Sequence, residues 1–226
     1  MTPKIIYMTN IDRRYFMMRR ALDELIADGE MPASSQVVKT EDGSVWSASW
    51  EEKLRGSALV MIRFMGNTIR TKFWTACMHF LSREGIPYYM DAAGSAEEEC
   101  IERVAAKDIA AMKAYSFYGG LTNYKNLWRY VGALFEEPLH AVEPPSPICW
   151  AGIYHPGMEK NFMTDLTSYE KTFLREGRPT LGLLFYRDEW IWDDLHYQKA
   201  FIEEAERQGL NVIAVFTNGL PDPKLG

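Results

Sequence analysis

A chain of 226 residues, 47% hydrophobic and 25% charged, is long enough to bury a core without disulfide or metal staples. Its net charge of −6 excludes the basic face that nucleic acid or an anionic membrane surface would require. Cys77, Cys100 and Cys149 lie far apart with no CxxC pair, which excludes a disulfide framework and a structural zinc site and leaves small thiols in a reducing cytoplasm.

No apolar run approaches the roughly 18 residues of a membrane helix. The first residues run directly into a strand-like segment rather than a signal-peptide core, so a cytoplasmic location is expected. Ile5–Thr9 reads as a buried strand and residues 13–28 as a helix stopped by Gly29. Gln36–Lys39 reads as a strand, Asp42-Gly43 as a turn, and residues 49–56 as a short helix. Ala58–Phe64 is a continuous apolar strand. The next helix places Ile69, Phe73, Trp74, Cys77, Phe80 and Leu81 on one stripe and ends at Gly85. Tyr88–Met90 forms a further strand ending at Asp91.

Ser95 and Glu98 have the spacing of a capping box, which predicts a long helix turning Ile101, Val104, Ile109 and Met112 inward. Gly119-Gly120 breaks it, and a second helix starts near Thr122 with Tyr124, Leu127, Trp128, Val131, Leu134 and Phe135 on one face. Pro138, Pro144, Pro145, Pro147 and Pro156 mark residues 137–161 as a connector. Residues 164–176 read as a helix. A β-α-β unit follows, with strands at Thr180–Tyr186 and Asn211–Thr217 around a helix at about 190–208. The fold class is therefore α/β: a parallel-sheet, Rossmann-like domain over 1–136, a connector over 137–161, and the first, incomplete part of a second α/β domain over 162–226.

Three blocks carry a family likeness. They are Gly177 to Arg187 (GRPTLGLLFYR) with Trp190 and the strand Gly209 to Phe216, Tyr118 to Leu127 (YGGLTNYKNL), and Ile153 to Pro156 (IYHP). In order and spacing they resemble the cobaltochelatase large subunit (CobN-like) and magnesium chelatase H subunit family, over roughly residues 115–226. The resemblance implies an N-terminal segment of a much longer subunit that binds tetrapyrrole and metal for cobalamin-type biosynthesis. It implies AAA+ ATPase and bridging chelatase subunits as partners, and ATP, Mg2+ and Co2+ (or Mg2+ as the inserted metal) used by the assembly. No G-x-x-x-x-G-K-[ST] loop occurs, so ATP hydrolysis and catalysis are not expected of this chain, and no cofactor is assigned to it. A stand-alone two-lobed α/β protein binding a small ligand without catalysis is the alternative.

Ligands of open α/β sheets bind beyond the carboxyl ends of the strands. A carboxylate-fringed macrocycle calls for arginines and aromatics there. Arg63, Tyr186, Arg187 and Trp190 meet that description, Asn67 stands in the polar turn at the end of the Ala58–Phe64 strand, and His155, in the connector, adds a group able to hold a propionate or a metal. Three of them also have a plain structural role open to them. Arg63 and Arg187 can pair with Asp91 and Asp188, and His155 can lock the connector by accepting a backbone hydrogen bond. No metal site is assigned, because His79, His140, His155 and His196 share no ligand spacing.

Overall fold

The structure, a computed structural model, describes residues 3–41, 43–66, 71–93, 99–158 and 162–218. The chain forms two compact units, Met1–Ser146 and Pro147–Gly226.

In the first unit, β1 (Ile5–Thr9), β2 (Gln36–Lys39), β3 (Leu59–Met65), β4 (Tyr88–Ala93) and β5 (Glu99–Glu102) make one sheet in the order β2-β1-β3-β4-β5. The first four strands are parallel and β5 is antiparallel to β4. Strands covered on both faces carry apolar side chains at every position, and all five residues of β1 are buried. Alternate residues serve opposite layers. Ile6, Met8, Val60, Ile62, Phe64, Tyr88 and Met90 pack with Leu54 of α2 (Ala48–Leu54) and with Phe73, Trp74, Cys77, Phe80 and Leu81 of α3 (Lys72–Arg83). Burial pushes the Cys77 thiol up to about 12, so it stays protonated and acts as a small apolar group.

On the other face, Tyr7 meets the fully buried Trp128 of α5 (Leu121–Ala133) at 6.4 Å between ring centroids. The Trp128 indole N–H donates to the Met18 carbonyl of α1 (Asp12–Ala27) at 3.2 Å, which satisfies the one polar atom this large ring brings inside. Gly119 and Gly120, at φ +70° and +82°, allow α4 (Ala106–Tyr118) to stop and α5 to start at once, a backbone shape that a side chain would strain. Asn123 then clamps the end of the unit. Its amide donates to the Gly119 and Ser146 carbonyls at 2.7 and 2.9 Å, and its carbonyl accepts the Ser146 N–H at 2.9 Å.

The second unit has a three-stranded sheet in the order β6-β8-β7, built from β6 (Ala151–Tyr154), β7 (Thr180–Tyr186) and β8 (Asn211–Thr217). β7 is parallel and β6 antiparallel to the central β8. On one face Tyr154, Phe185, Val212, Ala214 and Phe216 pack with Ile202 and Ala205 of α8 (His196–Arg207). On the other, Ile153, Ile213 and Val215 pack with Tyr169 and Phe173 of α6 (Leu166–Phe173).

Several local expectations differ from the fold: Ile101, expected inward, is exposed on β5, and Leu134 and Phe135, expected on the buried face of the second helix, follow the end of α5 and are exposed. The helix expected from the Ser95/Glu98 box begins only at Ala106, and Glu99–Glu102 is a strand pairing Tyr88↔Glu102 through Asp91↔Glu99. The open edge of β4 offers a ladder of main-chain hydrogen bonds, and that outweighs a local helix signal. Ser95 and Glu98 themselves, like Asp42 of the expected turn, lie outside the described residues. The helix expected over 190–208 is two, α7 (Arg187–Ile191) and α8, separated by a turn with Asp193 at φ 58°. The break lets Trp190 lie flat on Phe216, 4.4 Å between centroids and 8° between planes, while Leu195 still enters the core. The stretch read as a connector supplies β6 to the second sheet, and Ile153 there exchanges hydrogen bonds with Met163 at 2.7 and 3.0 Å.

In the first unit Arg129 grips Glu30 with two hydrogen bonds of 2.6 and 2.7 Å, and the Glu30 side chain is 5% exposed. These bonds, more than the neighbouring positive charges, hold its carboxyl below the usual range. A lowered carboxyl contributes stability that is present above its unfolded pKa of about 4.3 and is lost as pH falls through the folded value. Melting temperatures should therefore fall more steeply below about pH 4.5 in the parent than in Glu30→Gln, with the two curves separating most near neutrality. Parallel curves over pH 3–7 would rule this contribution out.

Candidate functional site

Parallel pairing puts the carboxyl ends of β1, β2 and β3 on one edge of the first sheet, and a bay of about 360 Å³ opens there. The Asn10 side chain ties the end of β1 to the end of β3. Its amide donates to the Met65 carbonyl and its carbonyl accepts the Met65 N–H, both at 2.8 Å. The far wall is the loop after β2, where Glu41 and Ser44 bond each other: the Glu41 N–H donates to Ser44 Oγ at 3.2 Å, and the Ser44 N–H to the Glu41 carbonyl at 3.1 Å. The near wall is the first turn of α3, where the Thr71 hydroxyl caps the helix by accepting the Trp74 N–H at 3.2 Å. Phe64, Phe73 and Trp74 supply an aromatic floor, with Phe73 and Trp74 edge-to-face at 4.8 Å.

Thr40 lines the same bay, is 3% exposed, and its hydroxyl has no hydrogen-bond partner. The amides of the first turn of α3 point beyond the helix and, with the Lys72 ammonium, favour negative charge. Glu41, on the rim, opposes it. The bay thus joins apolar ring contact to hydroxyl donors and a modest anion preference.

A second cleft, about 520 Å³, lies at the carboxyl end of β7 and is lined by Leu183, Leu184, Tyr186, Glu189, Gln198 and Thr217 among others.

The residues singled out from sequence divide sharply. Arg63 stands on β3 in register with Thr9 and Asp91, partly buried. Asn67 lies outside the described residues. Tyr186 is 67% exposed on the wall of the second cleft. Arg187, the first residue of α7, is turned inward and 2% exposed. It donates to the Cys149 and Ile148 carbonyls at 2.7 and 3.1 Å, and its guanidinium lies 4.9 Å from the Trp150 ring centre. It therefore holds down the stretch that leads into β6. Trp190 is packed on Phe216 and Phe162.

His155 is 8% exposed and stacked on Phe173 at 4.0 Å. Its Nδ1 accepts the Gly157 N–H at 3.0 Å, which leaves Nε2 to carry the proton toward Glu206 at 3.1 Å. The ring thus joins the 3-10 turn Pro156–Met158, α6 and α8, the structural alternative stated for it above. Among the described residues no group of three or more His, Cys, Asp or Glu side chains converges as metal ligands.

Thr40, Thr71 and Trp74 were not singled out from sequence as site residues. Thr40 directly follows β2 and Thr71 directly precedes α3, so the strand-end rule applied to β2 and the cap before Lys72 would have pointed to them. For Arg187, truncation removes the donors to the part-buried carbonyls of Ile148 and Cys149. Arg187→Ala should cost about 2–4 kcal/mol in urea unfolding, and Arg187→Lys should recover under half, since a single ammonium replaces neither the fork nor the stacked plane. Full recovery by lysine would reduce its role to charge.

Comparison with known proteins now places the chain. Residues 113–225, half of its length, match the family model described as CobN/Magnesium Chelatase. An uncharacterized protein of Methanocaldococcus jannaschii is 35% identical over 107 residues, 47% of this chain and 9% of that protein. The aerobic cobaltochelatase subunit CobN of a Sinorhizobium species is 30% identical over 131 residues, 55% of this chain and 10% of that one. The chain thus spans about a tenth of the length of these relatives. The catalytic subunit of cobaltochelatase from Mycobacterium tuberculosis has the same fold over 99% of this chain and 17% of its own, with a TM-score of 0.58 at 15% identity. With a family model matching from within α4 to beyond β8, this chain belongs to the CobN/magnesium chelatase family.

Proposed function

We propose that the chain works as an N-terminal part of the tetrapyrrole-binding large subunit of an ATP-dependent metal chelatase. That enzyme would insert cobalt into a corrin precursor or magnesium into a porphyrin, with ATP hydrolysed by AAA+ partner subunits in the cytoplasm. The observation that carries the reading is the family match over residues 113–225. Within the assembly, we assign this chain to enclosure of the ring rather than to metal insertion. The bay at the carboxyl edge of the first sheet supports enclosure, because its chemistry suits the fringe of a tetrapyrrole. Phe64, Phe73 and Trp74 meet an apolar edge, while the first turn of α3, Lys72 and the Thr40 hydroxyl meet a carboxylate or amide substituent. At about 360 Å³ the bay takes a substituent and part of a pyrrole and not a whole macrocycle, so the remaining walls come from elsewhere in the subunit.

The test is a titration with hydrogenobyrinic acid diamide and with deuteroporphyrin, read by tryptophan fluorescence and by the ring's own absorption band. Quenching is expected. Lys72→Glu should weaken binding about tenfold, the effect of a reversed charge worth ~1.4 kcal/mol. The dimethyl ester of deuteroporphyrin should bind equally weakly to parent and variant. Binding that ignores both Lys72 and esterification would take the substituent out of this bay. An absence of binding to either ring would shift the segment's role to docking partner subunits.

A further inference from the structure

The chain passes from the first unit to the second at Ser146 and Pro147, inside the stretch that its prolines mark as a connector. A proline-rich linker left to itself is a semi-rigid spacer several residues long. Here each unit holds its own end of the crossing.

In the first unit the anchors are Tyr115 and Asn123. The Tyr115 hydroxyl donates to the Glu143 carbonyl at 2.6 Å. The Asn123 amide donates to the Ser146 carbonyl and accepts the Ser146 N–H, both at 2.9 Å. One planar group thus holds both main-chain polar atoms of Ser146, as a neighbouring strand would. Asn123 is itself fixed, because it is 2% exposed and also donates to the Gly119 carbonyl at 2.7 Å.

In the second unit the anchor is Arg187, which donates to the Ile148 and Cys149 carbonyls. Two carbonyls held by one rigid fork fix the torsions between them. Further along, the Cys149 thiol donates to the Ala151 carbonyl at 2.8 Å, and β6 pairs with β8.

Pro147 is the single residue between the held residues Ser146 and Ile148. Its ring sets φ near about −65°, and the peptide bonds on either side are planar. The residue before a proline is confined to extended backbone. Between the held carbonyls of Ser146 and Ile148 two torsions stay soft, ψ of Pro147 and φ of Ile148.

We propose that Pro147 is a built hinge, and that Asn123 and Arg187 are positioning residues that confine reorientation of the two units to these two torsions. Such a hinge gives movement along a narrow path, which a flexible tether does not. Asn123 and Arg187 belong to two of the blocks that carry the family likeness, so those blocks have a task apart from ring contact. Hinge action is independent of which ring the subunit binds.

Double electron–electron resonance tests the hinge. One nitroxide is placed on each unit through non-natural keto residues at the exposed positions Thr75 and Lys199, so that the native cysteines stay in place. The distance distribution of the parent should be about half as wide as that of a variant with four glycines inserted after Pro147. Asn123→Ala should widen the parent's distribution by roughly half or more, since four residues, 144–147, then lie between the Glu143 and Ile148 carbonyls. Pro147→Gly, an exposed change that removes no hydrogen-bond donor, should also widen it, and this variant carries the test if Asn123→Ala fails to fold. A parent as broad as the insertion variant would make the crossing a free tether and overturn the hinge. The hinge is equally overturned if Pro147→Gly leaves the parent's width unchanged, whether or not the insertion widens it.

Discussion

A parallel sheet must be covered on both faces, because the helices that connect its strands bury what the strands cannot expose. In the first unit the requirement is met. α2 and α3 close one face with a cluster centred on Ile6, Val60 and Phe80, and Trp128 lies under Tyr7 on the other. In the second unit, among the described residues, it is met on β6 and β8, while Leu184 and Tyr186 of β7 are exposed.

The same parallel pairing produces the candidate site. When β1, β2 and β3 run in one direction, their carboxyl ends and the amino end of α3 collect on one edge, and the loops between them are free to carry polar groups without disturbing the core. The bay around Thr40 and Trp74 is a consequence of that alignment. Its aromatic floor is continuous with the hydrophobic core, so ring contact there comes from residues that also stabilise the fold, and the polar groups are single additions at the ends of elements.

Arg187 and His155 are tied into the fold through their polar atoms. Both have the chemistry to hold a carboxylate, and both sit in the blocks that carry the family likeness. The guanidinium is nevertheless turned onto the carbonyls of Ile148 and Cys149, and the imidazole bridges Gly157 and Glu206. Their work is to fix the irregular stretch before and after β6, where few main-chain groups have partners in a ladder. Buried polar side chains are the usual means of satisfying such a stretch.

Much of the architecture was legible in the sequence. The apolar runs of β1, β3, β7 and β8 and the stripe Phe73–Trp74–Cys77–Phe80–Leu81 set the α/β class, because burial on two faces or on one stripe leaves a periodic mark in the chain itself. The three blocks between Tyr118 and Phe216 likewise identified the family from sequence alone. Tertiary structure decided the rest. Glu99–Glu102 became a strand because β4 had an open edge, β6 emerged from a proline-rich stretch because β8 needed a neighbour, and Arg187 turned inward because carbonyls lay there. Each of these depends on a partner tens of residues away, and local periodicity holds no record of a distant partner.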